Sequence, residues 1–250
     1  MKRFFVELSY DGTNYHGWQM QINALSVQEV ITDQFRKYFK QSDLDVTGCG
    51  RTDTGVHAIQ FYLHFDNENI LDFEQVLYSL NTMLPKDIAL IRIIEVKSDA
   101  HARFDAVKRT YRYYINRSKD PFNNKYSWYL NKDLNIMTMN ESCEILKEYS
   151  DFTSFSKLHT DVKTNLCKIE QAKWIEEKNR YIFEISSNRF LRNMVRSIVG
   201  TMVDIGMGKT SIDHFHHIIR AQDRSLAGKS VPGKGLFLYE VKYREETLVS

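Results

Sequence analysis

Between residues 48 and 58 the chain reads GCGRTDTGVHA, the segment richest in groups that could do chemistry. Gly48, Gly50 and Gly55 surround Arg51 and Asp53. Glycine permits positive φ and lets a backbone approach something bulky. Charged side chains on a loop held between strands are well placed to meet a substrate. An aspartate beside an arginine suggests a carboxylate kept ionised by a neighbouring cation, and an ionised aspartate can act as nucleophile or base. The loop holds neither GxGxxG nor GxxxxGK with a following Ser or Thr, so a nucleotide cofactor has no support. From residue types alone, a turn decorated with a surface ion pair fits the same segment.

The elements that must hold this loop follow from periodicity. Residues 3–10, RFFVELSY, alternate as a strand with Phe4, Val6, Leu8 and Tyr10 on one face. DGTNYHGWQMQ then reads as a loop. Ser26 and Glu29 make a capping box for a helix over 27–39. A strand is expected at 43–48, the loop follows, and Ile59, Phe61, Leu63 and Phe65 alternate with Gln60, Tyr62, His64 and Asp66 as a half-buried strand. Asp72 and Gln75 open a second helix that Pro85 ends, and 88–96 is a strand. The order β-α-β-β-α-β is ferredoxin-like, the order of the common RNA-recognition sheet, although that arrangement hosts many functions.

Beyond residue 104 a second α/β domain is expected. Its strands fall at 107–116, 167–175, 180–187 and 236–243. Its helices run from Asn140 to about Tyr149, from Phe190 to Ile205 with Gly206 as stop, and from a Ser211 cap to Arg220. The expected domains are 1–103, carrying the loop, and 104–250. In the helix beginning at Phe190, Arg189, Arg192 and Arg196 would share one face, with Arg196 nearest the apolar seam. Tyr111 reads as a half-buried strand aromatic.

Composition narrows the function. The 250 residues carry a net charge of +2, 42% hydrophobic and 26% charged residues, so the chain is globular. No stretch approaches a membrane span, and no signal peptide is visible in MKRFFVELSYDG. Cys49, Cys143 and Cys167 are odd in number and far apart, which suits a reduced, cytoplasmic setting. His57, His101 and the HFHH run at 214–217 lack a ligand-spaced partner set, so no metal is expected. Residues 101–130 and 186–235 are each net basic, and the first window also clusters Tyr and Phe, a mixture suited to phosphates and bases.

Six segments, in order, resemble the TruA-type tRNA pseudouridine synthases around the loop GRTDTGVHA: YDGTNYHGWQMQ, SVQEVI, HARFDAVKRTYRY, DFTSFSK, FLRNMVRSIVGTMVDIG and VPGKGLFLYEVKY. The resemblance spans roughly residues 8–243. It implies the pseudouridine synthase fold, an α+β arrangement of two ferredoxin-like domains with mainly antiparallel sheets around a central cleft. It implies an isomerase that converts uridines of the tRNA anticodon stem-loop to pseudouridine without cofactor or metal, acting as a cytoplasmic homodimer. It makes Asp53 the essential catalytic residue. Arg51 helps extrude or replace the base, Tyr111 stacks on the uracil, and Arg196 pairs with the catalytic carboxylate. The segment 157–168 departs from the family pattern at Lys163 and Leu166, where contacts with tRNA or a partner subunit are expected. A non-catalytic RNA-binding protein on the same scaffold is the alternative. A glycosidase-like use of Asp53 would need a second carboxylate, which the loop does not supply.

Overall fold

The computed structural model describes residues 1–68, 72–157 and 164–248. The part of the 157–168 segment that includes Lys163 therefore lies outside the described residues. The fold is α+β, with mostly antiparallel pairing and five α-helices among the described residues. The chain forms two compact units, Met1–Val107 with Leu238–Ser250, and Lys108–Phe237.

The first unit runs β1 (Lys2–Tyr10), α1 (Val27–Phe39), β2 (Thr47–Gly48), β3 (His57–Asn67), α2 (Phe73–Met83) and β4 (Ile88–Val96), the expected β-α-β-β-α-β order. Its sheet order is β4-β1-β3, antiparallel throughout, and β2 pairs with β3. Both helices start where the sequence places them. The Ser26 hydroxyl accepts from the Glu29 N–H while the Glu29 carboxylate accepts from the Ser26 N–H. Asp72 accepts from the Gln75 N–H in the same way. Phe4, Val6 and Leu8 stand opposite Phe65, Leu63 and Phe61, and these buried side chains form a core with Ile31, Phe35, Val76 and Leu80 of the helices. Each fully buried side chain of this size stabilises the fold by roughly 1.5–3 kcal/mol.

Two expectations in this unit need correction. The strand at 43–48 shrinks to two residues, because side chains of α1 take the carbonyls a strand partner would use. Arg36 Nε donates to the Leu44 carbonyl, and Gln28 Nε2 to that of Val46. The strand over 57–67 is covered on both faces rather than half-buried. Tyr62 is held by Glu7 and Arg92, and His64 is buried beneath residues 101–102. Ile59 meanwhile is 51% exposed. A register shift between Leu8 and Tyr10 sets Tyr10 opposite Ala58, so Ile59 turns to the other face.

Burial of His64 has a pH consequence. Its Nδ1 accepts from the Ala102 N–H at 3.1 Å. Desolvation, reinforced by Arg3 and His101, lowers its pKa from 6.5 to about 4, against smaller opposing pulls from Asp66 and Asp105. Below pH 6.5 the unfolded chain takes up a proton that the folded chain refuses. Stability is thus fully present above pH 6.5 and is lost as pH falls toward 4, by up to about 3 kcal/mol. A His64→Asn protein, with an uncharged acceptor, is expected to show a flatter melting profile over that window. Parallel profiles for the two proteins would refute the linkage.

The second unit holds β5 (Ala106–Asn116, beginning two residues before the unit), β6 (Trp128–Tyr129), α3 (Ile136–Leu146), β7 (Ile169–Glu177), β8 (Arg180–Ser187), α4 (Met194–Gly206) and α5 (Ile212–Ala221). Strand β8 lies between β5 and β7 in antiparallel register, and β6 adds to β5 in parallel. The final strand β9 (Leu236–Tyr243) begins in this unit, but from Leu238 it belongs to the first, where it borders β3.

Two helix starts differ from expectation. Helix α3 is capped by Asn135, not Asn140. Asn140 instead clamps β7, donating to the Trp174 carbonyl and accepting from the Trp174 N–H. Helix α4 starts at Met194, because Asn193 takes a left-handed backbone at φ 68° while its side chain donates to Ser230. Arg189 and Arg192 therefore precede the helix, and the three-arginine helix face does not exist.

Candidate active site

Asp53 and Arg51 sit on the loop between β2 and β3, and the segment after β1 is built around that loop. The Trp18 N–H donates to the Thr52 carbonyl at 3.3 Å, and the Gly55 N–H to the Tyr15 carbonyl at 3.2 Å. The Val56 N–H closes a turn onto the Asp53 carbonyl at 3.1 Å. The buried hydroxyls of Thr52 and Tyr10 are 2.8 Å apart. Asp53 is partly exposed between these anchors, and Arg51 is exposed, with no hydrogen bond or ion pair among the described residues. The loop thus presents one cation outward and holds the carboxylate on a fixed backbone.

Glycines permit the close layering. Gly17 has φ 93°, and a Cβ there would lie 2.3 Å from the Thr52 carbonyl oxygen. A Cβ on Gly48 would meet the Trp18 ring at 2.5 Å. That ring stacks on Phe61 with centroids 4.1 Å apart. Gly50, by contrast, has open space where a Cβ would stand, so it is not needed for packing. Carbonyls of Gly17 and Trp18 accept from the N–H groups of Val27 and Gln28, which ties the loop's support to the unsatisfied first turn of α1. His57 is buried, and its Nδ1 lies 3.1 Å from the Gly12 nitrogen, whose N–H donates to it, and 2.9 Å from an Asp11 carboxylate oxygen. Tyr15 donates to Asp87 at 2.6 Å; burial first and then this carboxylate push its phenol well above its ordinary pKa.

A Gly17→Ala protein is expected to lose roughly 2–4 kcal/mol, from left-handed strain plus overlap with Thr52. Thr52 and Asp53 must also shift to make room, so any reaction that uses Asp53 should slow. An unchanged melting temperature and rate would show that the layer does not position Asp53.

Tyr111 and Arg196 belong to the second unit. Tyr111 lies in β5 opposite Ile185, 9% exposed, with the Phe190 ring edge-on at 5.1 Å. It shares a buried face with Tyr113, whose hydroxyl donates to the Pro232 carbonyl. Burial raises the Tyr113 pKa, and the nearby Arg196 charge opposes that rise. Arg196 stands in the first turn of α4, with its Nε donating to the Val231 carbonyl at 2.7 Å and its own carbonyl accepting from the Val231 N–H. The loop 228–231 crosses α4 where Gly200 makes room, since a Cβ there would lie 1.9 Å from the Lys229 carbonyl oxygen. The sequence reading missed Gly17, Trp18 and Asp87 as supports of the loop, and Val231 as the anchor of Arg196. The paired glycines of DGTNYHGWQ were the available signal.

Among the described residues, no three His, Cys, Asp or Glu side chains are grouped to hold a metal ion. His216 faces the Tyr149 hydroxyl at 2.8 Å instead. Cys49, Cys143 and Cys167 are buried and none is in a disulfide among the described residues. No helix among the described residues is long and apolar enough to cross a membrane.

A family model described as tRNA pseudouridine synthase matches residues 8–105 and 149–244. The chain is 50% identical over 249 residues to tRNA pseudouridine synthase A of Bacteroides thetaiotaomicron, covering 98% of this chain and 92% of the relative. The Bacteroides fragilis protein of the same name is 50% identical, with 98% of each chain covered. That of a Thermoanaerobacter species is 37% identical over 97% of this chain and 100% of its own.

Proposed function

The chain belongs to the tRNA pseudouridine synthase family, and from that premise we propose that it isomerises uridines of the tRNA anticodon stem-loop to pseudouridine with Asp53 as the catalytic group. The observation that carries this reading is the layered support of the Asp53 loop by Tyr10, Tyr15, Gly17 and Trp18. In the reaction the N1–C1′ bond breaks, the uracil turns, and C5 bonds to C1′. One proton leaves C5 and one is taken up at N1. Substrate and product contain the same atoms, so no oxidant, reductant or cofactor enters.

A uridine in a stem must first leave its stack, at a cost of a few kcal/mol. Arg51, exposed on the rigid loop, is suited to enter the vacated space. Tyr111 offers a ring face to the extruded uracil, and Arg196 supplies the cation for the Asp53 carboxylate. A homodimer in the cytoplasm is the assembly and setting this reading carries, because a tRNA is long beside one 29.5 kDa chain. The test is incubation of the purified protein with unmodified tRNA and detection of pseudouridine by chemical labelling, with sedimentation of the same sample. Bound tRNA without pseudouridine would leave an RNA-binding protein. A monomer with full activity would remove the dimer.

A further inference from the structure

A pocket of about 410 Å³ opens in the second unit where the end of β5, the following loop and the β7–β8 turn meet. Two acids and three bases line it, but the acids are already engaged. The Asp120 carboxylate accepts from the N–H groups of Phe122 and Asn123 and from the Asn123 side chain. Glu177 pairs with Arg180. Lys119 and Lys178 are exposed and have no hydrogen-bond or ion-pair partner among the described residues. Neither does the side-chain amide of Asn116, whose residue is only 8% exposed. The pocket's unmet groups are therefore two cations and neutral donors, the set that takes an anion.

Phe122, between the lining residues Pro121 and Asn123, is 90% exposed. A large exposed aromatic on a loop usually has some freedom. This one is held by its own N–H on Asp120 at 2.9 Å, so the ring is presented on a fixed turn. The carbonyl and side chain of Asn124 accept from Lys234, which fastens the same loop from its other side. The loop lies between the two stretches that the family model matches. Unpartnered cations and an exposed ring on an anchored loop are the two parts of a single-strand RNA contact: charge for the backbone and a face for a base.

We propose that this pocket is a second RNA-contact site, holding a backbone phosphate between Lys119 and Lys178 with an adjoining base stacked on Phe122. The assignment of the anion to RNA rests on the tRNA reading above.

The experiment uses Lys119→Ala/Lys178→Ala and Phe122→Ala proteins, full-length tRNA, and binding measured across a range of ionic strength, with pseudouridine formation followed in parallel. Each neutralised phosphate contributes about 0.7–0.9 to the slope of log K against log salt. With one phosphate held between the two lysines, the double variant should therefore bind with a slope shallower by about 1. It should also raise KM roughly tenfold while leaving kcat at saturating tRNA unchanged. Phe122→Ala should weaken binding by roughly 5–100-fold with little change in slope.

An unchanged slope and affinity in the double variant would overturn the proposal. Uridine monophosphate and inorganic phosphate probe the other source of the anion. Lysine-dependent binding of either at micromolar concentration would mark a small-molecule site and also overturn it. Binding is read without turnover, so the two readings fail separately. A lysine-dependent slope without pseudouridine refutes the reaction and sustains the pocket, whereas normal turnover with an unchanged slope refutes the pocket alone.

Discussion

An Asp53→Asn protein is expected to bind tRNA about as well as wild type and to form pseudouridine roughly 10⁴-fold more slowly or worse. The substitution keeps the size of the side chain and removes its charge. Several bonds that hold the loop do not involve the Asp53 side chain: the Asp53 carbonyl to Val56, the Thr52 carbonyl to Trp18, and the Thr52 hydroxyl against that of Tyr10. A melting temperature unchanged from wild type would show that a loss of rate reports chemistry rather than a collapsed site. A carboxylate acting as nucleophile or base has no substitute in an amide, which is neutral and a poor proton acceptor. Single-turnover measurement at saturating tRNA separates this from weak binding. Turnover within tenfold of wild type would remove Asp53 from the catalytic role.

Tyr111 should show the next largest effect, and two substitutions divide its roles. Tyr111→Phe retains the ring, its edge-on contact with Phe190 and its place opposite Ile185. If the hydroxyl moves the proton that leaves C5, Phe should bind tRNA normally and turn over about 10²–10⁴-fold more slowly. That is the result expected on the proposed mechanism if Asp53 is committed to the sugar at the step where C5 loses its proton. Tyr111→Ala removes the ring as well. It should lose a further ten- to a hundredfold in productive capture of the base, given roughly 1–3 kcal/mol for stacking. It should also lower stability by roughly 3–5 kcal/mol through the cavity beside Phe190. A Phe protein of wild-type rate would show that only the ring matters. Wild-type rates in both variants would move the uracil site away from β5.

The elements read correctly from the chain share one property: their limits are set by groups close in sequence. Ser26 caps α1 through Glu29, Asp72 caps α2 through Gln75, and Ser211 caps α5 through His214. Each is a bond across three residues, so the letters suffice. The loop carrying Arg51 and Asp53 was legible for a similar reason, since its glycines and charges lie within a few positions of one another.

Sequence alone therefore determined the β-α-β-β-α-β order of the first unit, the helix starts with local caps, and the segment that carries the candidate chemistry. Tertiary structure decided what depends on partners far along the chain. Asn193 takes a left-handed start to α4 while its side chain bonds Ser230, and that start strips Arg189 and Arg192 from the helix. Asn140 looked like a cap, but Trp174 draws it into the middle of α3 as a clamp on β7. The strand before the loop is cut short by Arg36 and Gln28. The loop itself is held by Gly17 and Trp18, more than thirty residues upstream. A backbone group or polar side chain that becomes buried must be satisfied by whichever partner the fold brings to it, and when that partner lies tens of residues away no local pattern names it.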